Sequence, residues 1–286
     1  GQLAVFNVMH LLQQAGHQPI ALVGGATGMV GDPGGKSKER VLLGEDDIQR
    51  HIEGQQAQLK RFLDFDGEQG AKMLNNMDWL GSWSYLTFLR DVGKHFSVNQ
   101  MMMRDSVKSR LTREGEGISY TEFSYMLLQA YDFYYLRKHE SCELQVGGSD
   151  QWGNIVSGID LTRRLLQKDV YGLTMPLVTK ADGTKFGKSE AGTIWLSAEK
   201  TSPFAFYQFF LRTDDADVRR MLLMLTDIPL EEVDALIATL ETEAHLRQPQ
   251  KRLAAFLTTR VHGVEQLERV QRASEAMYGG HITDLD

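Results

Sequence analysis

Basic side chains lie in two glycine-containing segments, where they could bind the phosphates of a nucleotide. Lys36 and Arg40 are four residues apart, and Lys185 and Lys188 lie in Lys180–Ser189, which contains three lysines and two glycines. Lysines on a flexible loop can close over a polyphosphate and stabilise charge that develops in a transition state. A solvated, charged surface loop is the alternative for such a run.

Asp32 occupies the glycine-rich segment Gly24–Lys36, which follows the apolar run Ile20–Val23. A carboxylate there would repel phosphates but would suit the ammonium group of an amino acid. Glycines let a ligand approach the backbone, and free N–H groups favour anions. The dinucleotide fingerprint G-x-G-x-x-G is absent, and the phosphate-loop pattern fails because Val30 replaces its first glycine. A flexible loop, with Asp32 as a turn residue before Pro33, is the alternative.

Three polar residues, Tyr125, Gln129 and Asp132, follow helical spacing and therefore share one face of a predicted helix. Their neighbours are mostly apolar, and a carboxylate is costly to bury without a partner. The pattern is consistent with a polar ligand pocket. A solvated helix face with Tyr125 half buried is the alternative.

A second strand-and-glycine segment, Gln145–Asn154, places Asp150 and Gln151 just before a predicted helix. An acidic residue at such a position accepts hydrogen bonds from ribose hydroxyls in nucleotide sites. Asp before a helix also commonly caps the helix, which is the alternative interpretation of Asp150.

Strands alternate with helices up to about residue 200, and only helices follow from Ser202 onward. The predicted strands are Ile20–Val23, 72–76, 143–148 and 173–179, and the predicted helices are 2–15, 45–63, several within 84–135, and 154–167. This order predicts an α/β domain with a parallel sheet, followed by an all-helical domain.

The bulk composition is that of a globular protein of 286 residues with a net charge of -7, which argues against a surface coated with basic residues for nucleic acid. The single cysteine, Cys142, excludes an intrachain disulfide and a zinc-binding cysteine cluster, and it suggests a reducing cytoplasm. No apolar run approaches the ~20 residues that span a bilayer. Helical spacing is already present after Gly1, so we expect further residues upstream.

Four segments, each ambiguous alone, occur in an order that resembles the class I aminoacyl-tRNA synthetases, and the bacterial-type tyrosyl-tRNA synthetases in particular. Lys185–Ser189 is similar to their K-M-S-K-S signature, and Gly147–Asn154 to their G-G-S-D-Q-W-G-N segment. Ala21–Pro33 and Phe123–Phe133 are similar to two further tyrosyl segments, and the resemblance runs from the first residue to about residue 280. It implies a Rossmann-like catalytic domain at 1–200 with a dimer-forming helical insertion at about 85–135. It also implies a helical anticodon-recognition domain at 201–286.

The resemblance assigns seven residues to tyrosine binding: Asp32, Tyr125, Gln129, Asp132, Gln151, Asn76 and Thr27. Asp32, Tyr125 and Gln129 should hold the ammonium group, and Asp132 should accept a hydrogen bond from the phenol. A buried acceptor left unpaired by phenylalanine can give ~10⁴–10⁵ discrimination, a magnitude that itself comes from a tyrosyl enzyme.

The resemblance also implies ATP as a substrate, accompanied by Mg²⁺, with no tightly bound metal held by the protein. The residues implied in binding ATP are Gly1, Gln2, Gly148, Asp150 and Lys188, and those implied in stabilising the leaving pyrophosphate are Lys36, Arg40, Lys185 and Lys188. The tyrosine carboxylate that attacks the α-phosphorus is already charged. Catalysis would therefore consist of orientation and charge stabilisation.

Two departures from the family pattern concern the ends of the chain. Gly1 and Gln2 stand at the last two positions of the H-I-G-H signature, and Gln2 replaces its second histidine. Glutamine can donate a hydrogen bond but carries no charge. The usual C-terminal RNA-binding module is also absent from the sequence. We therefore expect either a truncated chain or one whose ends are missing.

The departures keep a second hypothesis open, a synthetase-like RNA-binding protein without aminoacylation activity. A tryptophanyl relative is disfavoured because Asp132 with Gln129 suits a phenol better than an indole, and an oxidoreductase is disfavoured by the failed fingerprint. The expected partners are tRNA(Tyr), tyrosine, ATP and a second copy of the chain, with no membrane.

Apolar residues could form the homodimer interface, with core packing as the alternative. These residues are Phe88, Leu89, Phe96, Met101, Met102 and Met103. Basic residues in the helical region could contact tRNA, with solvated helix faces as the alternative. These are Arg219, Arg220, Arg247, Lys251, Arg252 and Arg260.

Overall fold

The computed structural model describes residues 2–32, 44–104, 107–108, 111, 117–179, 188–189 and 192–278. The chain divides into two compact units. One, called here the sheet unit, comprises Gln18–Ala57 and Phe65–Leu177, and the other, called the helical unit, comprises Gly1–His17, Gln58–Asp64 and Val178–Asp286. The division groups the first helix with the C-terminal helices. The functional boundary near residue 200 remains a prediction.

The described elements up to Met175 begin with helix α1 and include four strands. They are α1 (Gln2–Gln14), β1 (Ile20–Val23), α2 (Gly25–Val30), α3 (Glu45–Leu59), β2 (Lys72–Asn75), α4 (Met77–Leu80), α5 (Tyr85–Asp91), α6 (Val98–Met102), α7 (Tyr120–His139), β3 (Leu144–Gly148), α8 (Trp152–Leu166) and β4 (Tyr171–Met175). Short 3₁₀ turns lie at Gly93–His95 and Ser149–Gln151.

The strands of the sheet unit form two parallel pairs. β1 pairs with β2 so that Ile20 faces Lys72, and β3 pairs with β4 so that Leu144 faces Tyr171. Parallel strands joined through helices confirm the predicted α/β class. The last strand was predicted at 173–179 but ends at Met175, because Pro176 has no N–H to donate to a ladder.

A close helix contact lies in the sheet unit between α7 and α8. A Cβ atom at Gly158 would lie 2.9 Å from Cβ of Phe133, which leaves no room for a side chain at position 158. Only glycine therefore allows these helices their observed separation. Phe133, fully buried, fills the space opposite.

The helical unit contains α1, a two-stranded hairpin and five further helices among its described residues. The hairpin is β5 (Lys188–Ser189) with β6 (Gly192–Thr193), and the helices are α9 (Pro203–Leu211), α10 (Asp215–Leu225), α11 (Leu230–Glu243), α12 (Gln248–His262) and α13 (Val264–Tyr278). The side chains that they bury fully include Phe206, Met221, Leu222, Leu253 and Leu257. This confirms the predicted helical domain.

Most of the basic residues predicted to contact tRNA are held within the helical unit by its own acceptors. Arg219 pairs with Asp234, Arg220 with Asp217, Arg252 with Glu232 and Arg260 with Asp227. Arg247 donates to the carbonyl oxygens of Leu211 and Thr213. These contacts account for five of the six side chains, so a role of these five in binding RNA stays a prediction.

Five of the six apolar residues predicted for the dimer interface divide into two groups, and the sixth, Leu89, is half-buried. Met101 is buried, and Phe88 and Phe96 pack against the core of the sheet unit. Met102 and Met103 are 44% and 70% exposed. Core packing thus accounts for the first three, and the two exposed methionines remain candidates for an interface.

Candidate active site

Asp132 is a buried carboxyl group on α7, with a side chain in contact with the end of β2 and with α4. Its residue exposure is 2%. Asn76 donates from Nδ2 to Oδ2 of Asp132 at 2.9 Å, and Trp79 donates from Nε1 to Oδ1 at 2.8 Å. A solvated helix face, the alternative for this helix, is therefore wrong for Asp132.

Burial raises the pKa of Asp132 to about 7, from an ordinary value of 3.8. The hydrogen bonds from Asn76 and Trp79 lower the pKa because they favour the ionised form, but the desolvation outweighs them. Each carboxylate oxygen accepts one of these bonds, which leaves further lone pairs for a ligand hydroxyl. Asp132 is thus a fixed acceptor whose charge changes near neutral pH.

Asn76 connects Asp132 to the segment after β1. Its Nδ2 also donates to Oγ1 of Thr27 at 2.9 Å, and its Oδ1 accepts from the backbone N–H of Ala26 at 2.9 Å. The neighbouring Asn75 accepts from the N–H of Gly25 at 3.1 Å. Both Asn76 and Thr27, which the family resemblance placed in the pocket, thus lie in contact with each other.

The segment Gly24–Lys36 was interpreted as a glycine-rich loop along its whole length, and its first part is not a loop. The segment begins as helix α2, and the N–H groups of Gly25 and Ala26 are bound by asparagine side chains. The sequence had indicated that such N–H groups are free to bind an anion, but these two are not. A Cβ at Gly25 would lie 2.3 Å from Oδ1 of Asn75, so this cap requires glycine.

Asp32 and Gln151 are in contact although 119 residues separate them in the chain. Gln151 donates from Nε2 to Oδ2 of Asp32 at 2.8 Å and to Oδ2 of Asp150 at 3.2 Å. The same amide nitrogen therefore bridges two carboxylates. This brings together Asp32, predicted to bind the ammonium, Gln151, predicted to bind tyrosine, and Asp150, predicted to accept from the ribose.

Gln129 joins this group through Asn154. Asn154 donates from Nδ2 to Oε1 of Gln129 at 3.0 Å and to Oε1 of Gln151 at 3.3 Å. Tyr125 lies half-buried one turn before Gln129 on α7. The structure thus connects four predicted residues, Asp32, Gln129, Asp150 and Gln151, through hydrogen bonds.

Asp150 is exposed in the 3₁₀ turn that follows β3 and does not cap α8. The cap position of α8 is Gln151, with no side-chain hydrogen bond to the helix. A Cβ at Gly148 would lie 2.5 Å from Oδ1 of Asp150, so glycine lets this carboxylate lie against the strand end. The position at the carboxyl end of a parallel strand is where α/β sheets bind ligands.

Other predicted residues are not placed against this group. Gly1, Lys36, Arg40 and Lys185 lie outside the described residues. Lys188 is described only by its backbone, which pairs with Thr193 in the β5–β6 hairpin. Gln2 is the exposed first residue of α1, in the helical unit. Their roles remain predictions.

Two residues of the site were missed by the sequence analysis, Trp79 and Asn154. Trp79 lies three residues after Asn76, a spacing that places both on one face of a helical turn. Asn154 closes the Gly147–Asn154 segment, but an asparagine near a helix start is ordinarily interpreted as a cap. The contacts that reveal both residues join segments distant in sequence.

Among the described residues, no group of three or more His, Cys, Asp or Glu side chains is arranged to hold a metal ion. Within the same part of the chain, no helix has the length and apolar character needed to cross a membrane.

Comparison with known proteins gives one family and several close relatives. The family model described as tRNA synthetases class I (W and Y) matches residues 1–279. A tyrosine–tRNA ligase of Rhodopirellula baltica is 52% identical over 99% of this chain and 65% of its own length. One of Yersinia pseudotuberculosis is 54% identical over 100% of this chain and 68% of its own.

A solved structure is also similar to this chain. It is a C-terminally truncated mitochondrial tyrosyl-tRNA synthetase of Aspergillus nidulans, with a TM-score of 0.83 and 31% identity, over 96% of this chain and 81% of that one. The chain spans about two thirds of the length of the two relatives above, 65% of one and 68% of the other.

Proposed function

Since the chain belongs to the class I tRNA synthetases (W and Y), we propose that it is the core of a tyrosine–tRNA ligase. It activates tyrosine with ATP to give tyrosyl-adenylate and pyrophosphate, and then transfers tyrosine to tRNA(Tyr). The observation that carries this proposal is the buried carboxyl group of Asp132, held by Asn76 and Trp79. A buried, fixed acceptor suits the phenol hydroxyl that distinguishes tyrosine from phenylalanine.

The group around Gln151 supplies the acceptors for the amino acid's ammonium. Asp32 provides a carboxylate, and Gln129 provides an amide oxygen, with Tyr125 one turn away on the same helix. Asp132 lies almost one turn beyond Gln129 on α7. A helix that carries acceptors for both ends of tyrosine favours an aromatic amino acid with a terminal hydroxyl.

Asp150 and Gly148 lie at the strand end where the nucleotide would bind, with the Asp150 carboxylate accepting from the ribose hydroxyls. Lys36, Arg40, Lys185 and Lys188 would stabilise the pyrophosphate, and Gly1 and Gln2 would contact ATP. Mg²⁺ would enter bound to the ATP phosphates and offset their charge.

The activation step needs no general base, because the attacking tyrosine carboxylate is ionised at neutral pH. Its oxygen forms a bond to the α-phosphorus while the bond to pyrophosphate breaks. The residues of the sheet unit orient the two substrates, and the lysines stabilise the charge on the leaving group. Orientation and charge stabilisation are then the whole contribution of the protein.

Homodimerisation, tRNA binding and a cytoplasmic location belong to the same proposal. The exposed side chains of Met102 and Met103, with those of Tyr85 and Leu86, give the 85–135 region an apolar surface that a second copy could cover. The helical part after residue 200 would contact the tRNA anticodon region.

Exchange of labelled pyrophosphate into ATP, measured separately with tyrosine, tryptophan and phenylalanine, tests the activity. We expect exchange with tyrosine, with little from the other two amino acids. Exchange with tryptophan in place of tyrosine would contradict the assigned substrate. Binding of tRNA without any exchange would support the RNA-binding alternative instead.

A further inference from the structure

Asn154 donates to both glutamines of the candidate site and so joins them. Its Nδ2 lies 3.0 Å from Oε1 of Gln129 and 3.3 Å from Oε1 of Gln151. A side-chain amide nitrogen carries two hydrogens, so these two bonds use all of its donor capacity. Its own position is fixed from α8, which contacts α7 closely at Gly158 and Phe133, one turn beyond Asn154 and Gln129.

The amide orientation of Gln151 is determined at both of its ends. Its oxygen accepts from Asn154, and its nitrogen donates to Asp32 at 2.8 Å and to Asp150 at 3.2 Å. Rotation of this amide by half a turn would place nitrogen against nitrogen at Asn154. It would also place oxygen against two carboxylates. The rotated amide would therefore lose its hydrogen bonds at both ends and bring like partial charges into contact.

The same reasoning applies to Gln129. Half a turn of its amide would place Nε2 against Nδ2 of Asn154, two donors without an acceptor. Asn154 therefore keeps Oε1 of Gln129, and not Nε2, on the side that faces Asn154. An amide oxygen has two lone pairs, so Gln129 retains one for a ligand. An ammonium group has only hydrogens to donate, so it can bind this oxygen but not Nε2.

We infer that Asn154 is a positioning residue for the amino-acid substrate. It fixes Gln129 and Gln151 in the orientations that present acceptors to the ammonium, without contacting the reacting atoms. The inference rests on the proposed function for the identity of the ligand. It assigns Asn154 a role that is distinct from helix capping, since its side-chain nitrogen, a donor, makes both contacts.

The test compares tyrosine with 3-(4-hydroxyphenyl)propanoate, which lacks the ammonium group, by calorimetric titration of the full chain. We expect Asn154→Ala to weaken tyrosine binding about tenfold, the order expected for two net hydrogen bonds. Binding of the analogue should stay within about twofold, the usual limit of additivity. Equal weakening of both ligands would overturn the positioning role, because a general distortion of the pocket affects both.

A double-mutant cycle with Gln129→Ala gives an independent readout. In the Gln129→Ala protein, the further change Asn154→Ala should cost tyrosine affinity much less, because part of its effect passes through Gln129. Additive losses would contradict the inference. Gln55→Ala, which removes an exposed amide from α3, is the matched control and should change neither affinity. Thermal unfolding of each variant checks its folding.

If Asn154→Ala does not fold, Asn154→Ser is used, since its hydroxyl keeps one donor and should give a smaller loss for tyrosine alone. The ligase proposal and the Asn154 inference fail differently. Tyrosine binding without pyrophosphate exchange contradicts only the ligase activity. Absence of tyrosine binding by the unaltered chain contradicts both.

Discussion

The indole nitrogen of Trp79 lies 2.8 Å from Oδ1 of Asp132, so a neutral donor points at a buried carboxyl group. Together with Asn76 at the other oxygen, it fixes the direction of the carboxyl plane. A neutral donor stabilises the ionised form without adding a second charge to the pocket. The contribution of this hydrogen bond can be measured by altering either the donor or the carboxyl group.

Trp79→Phe keeps an aromatic ring but removes the N–H. We expect kcat/KM for tyrosine in pyrophosphate exchange to fall roughly tenfold or more, since a hydrogen bond to a charged group contributes ~1.5–3 kcal/mol. Trp83→Phe is the control, because this indole packs edge-on against the ring of Tyr131, with centroids 5.4 Å apart, whereas the oxygens of Asp132 accept from Asn76 and Trp79. An equal effect of the two substitutions would show that packing matters and the N–H does not.

The selectivity for tyrosine over phenylalanine should depend on pH. The pKa of Asp132 is raised to about 7, so above that pH the carboxylate is ionised and accepts a charge-assisted hydrogen bond from the phenol. Below it, the protonated group is a weaker acceptor and the selectivity should decline. The ratio of kcat/KM for the two amino acids, measured across this range, checks the prediction, and a flat ratio would contradict it.

Asp132 should also make the stability of the protein depend on pH. The folded-state pKa is above the unfolded value, so the folded chain binds the extra proton more tightly. The contribution is fully present below about 3.8 and is lost as the pH rises through about 7. The slope is at most ~1.4 kcal/mol per pH unit.

The contribution of Asp132 to stability can be isolated by denaturant unfolding at several pH values. The unaltered chain is compared with Asp132→Asn. The free energy of unfolding of the unaltered chain minus that of the variant should decrease as the pH rises. A constant difference would show that Asp132 does not titrate in this range.

Gly158→Ala tests the close contact between α7 and α8. The added methyl group would meet Cβ of Phe133 at 2.9 Å, so we expect a loss of ~1–3 kcal/mol in the free energy of unfolding. The KM for tyrosine should rise as well, because the same helices carry Gln129 and Asn154. Gly54→Ala, in α3 with no atom within 4 Å of the added methyl, should instead stabilise the chain by ~0.5–1 kcal/mol. A destabilised control would remove the steric explanation.

Periodicity and composition predicted much of the fold. The apolar spacing located the helices after residue 200, and the short apolar runs located the first three strands. Helix α2 was not predicted, because its glycine-rich sequence has poor helical propensity. Its first two N–H groups are capped by Asn75 and Asn76, about 50 residues later in the chain. A contact of that range is invisible to local patterns.

The candidate site was likewise predicted only in part from the sequence. Helical spacing placed Gln129 and Asp132 on one face, and the strand-end position predicted Asp150. The spacing could not show that Asp132 is buried, nor that Trp79 and Asn154 supply the donors. Charge pairs pose a similar problem, because Arg219 and Arg252 look basic in sequence but are matched by Asp234 and Glu232.

Asn76 uses its whole side-chain amide, since Oδ1 accepts from Ala26 while Nδ2 donates to Thr27 and Asp132. Hydrolysis of this amide, the common ageing reaction of asparagine, consumes water, releases ammonia and replaces the nitrogen with oxygen. A second carboxyl group would then lie 2.9 Å from Asp132, and two carboxylates that close cannot both ionise. The selectivity of an aged preparation would therefore depend on the survival of a single amide, even where Asp132 itself is intact.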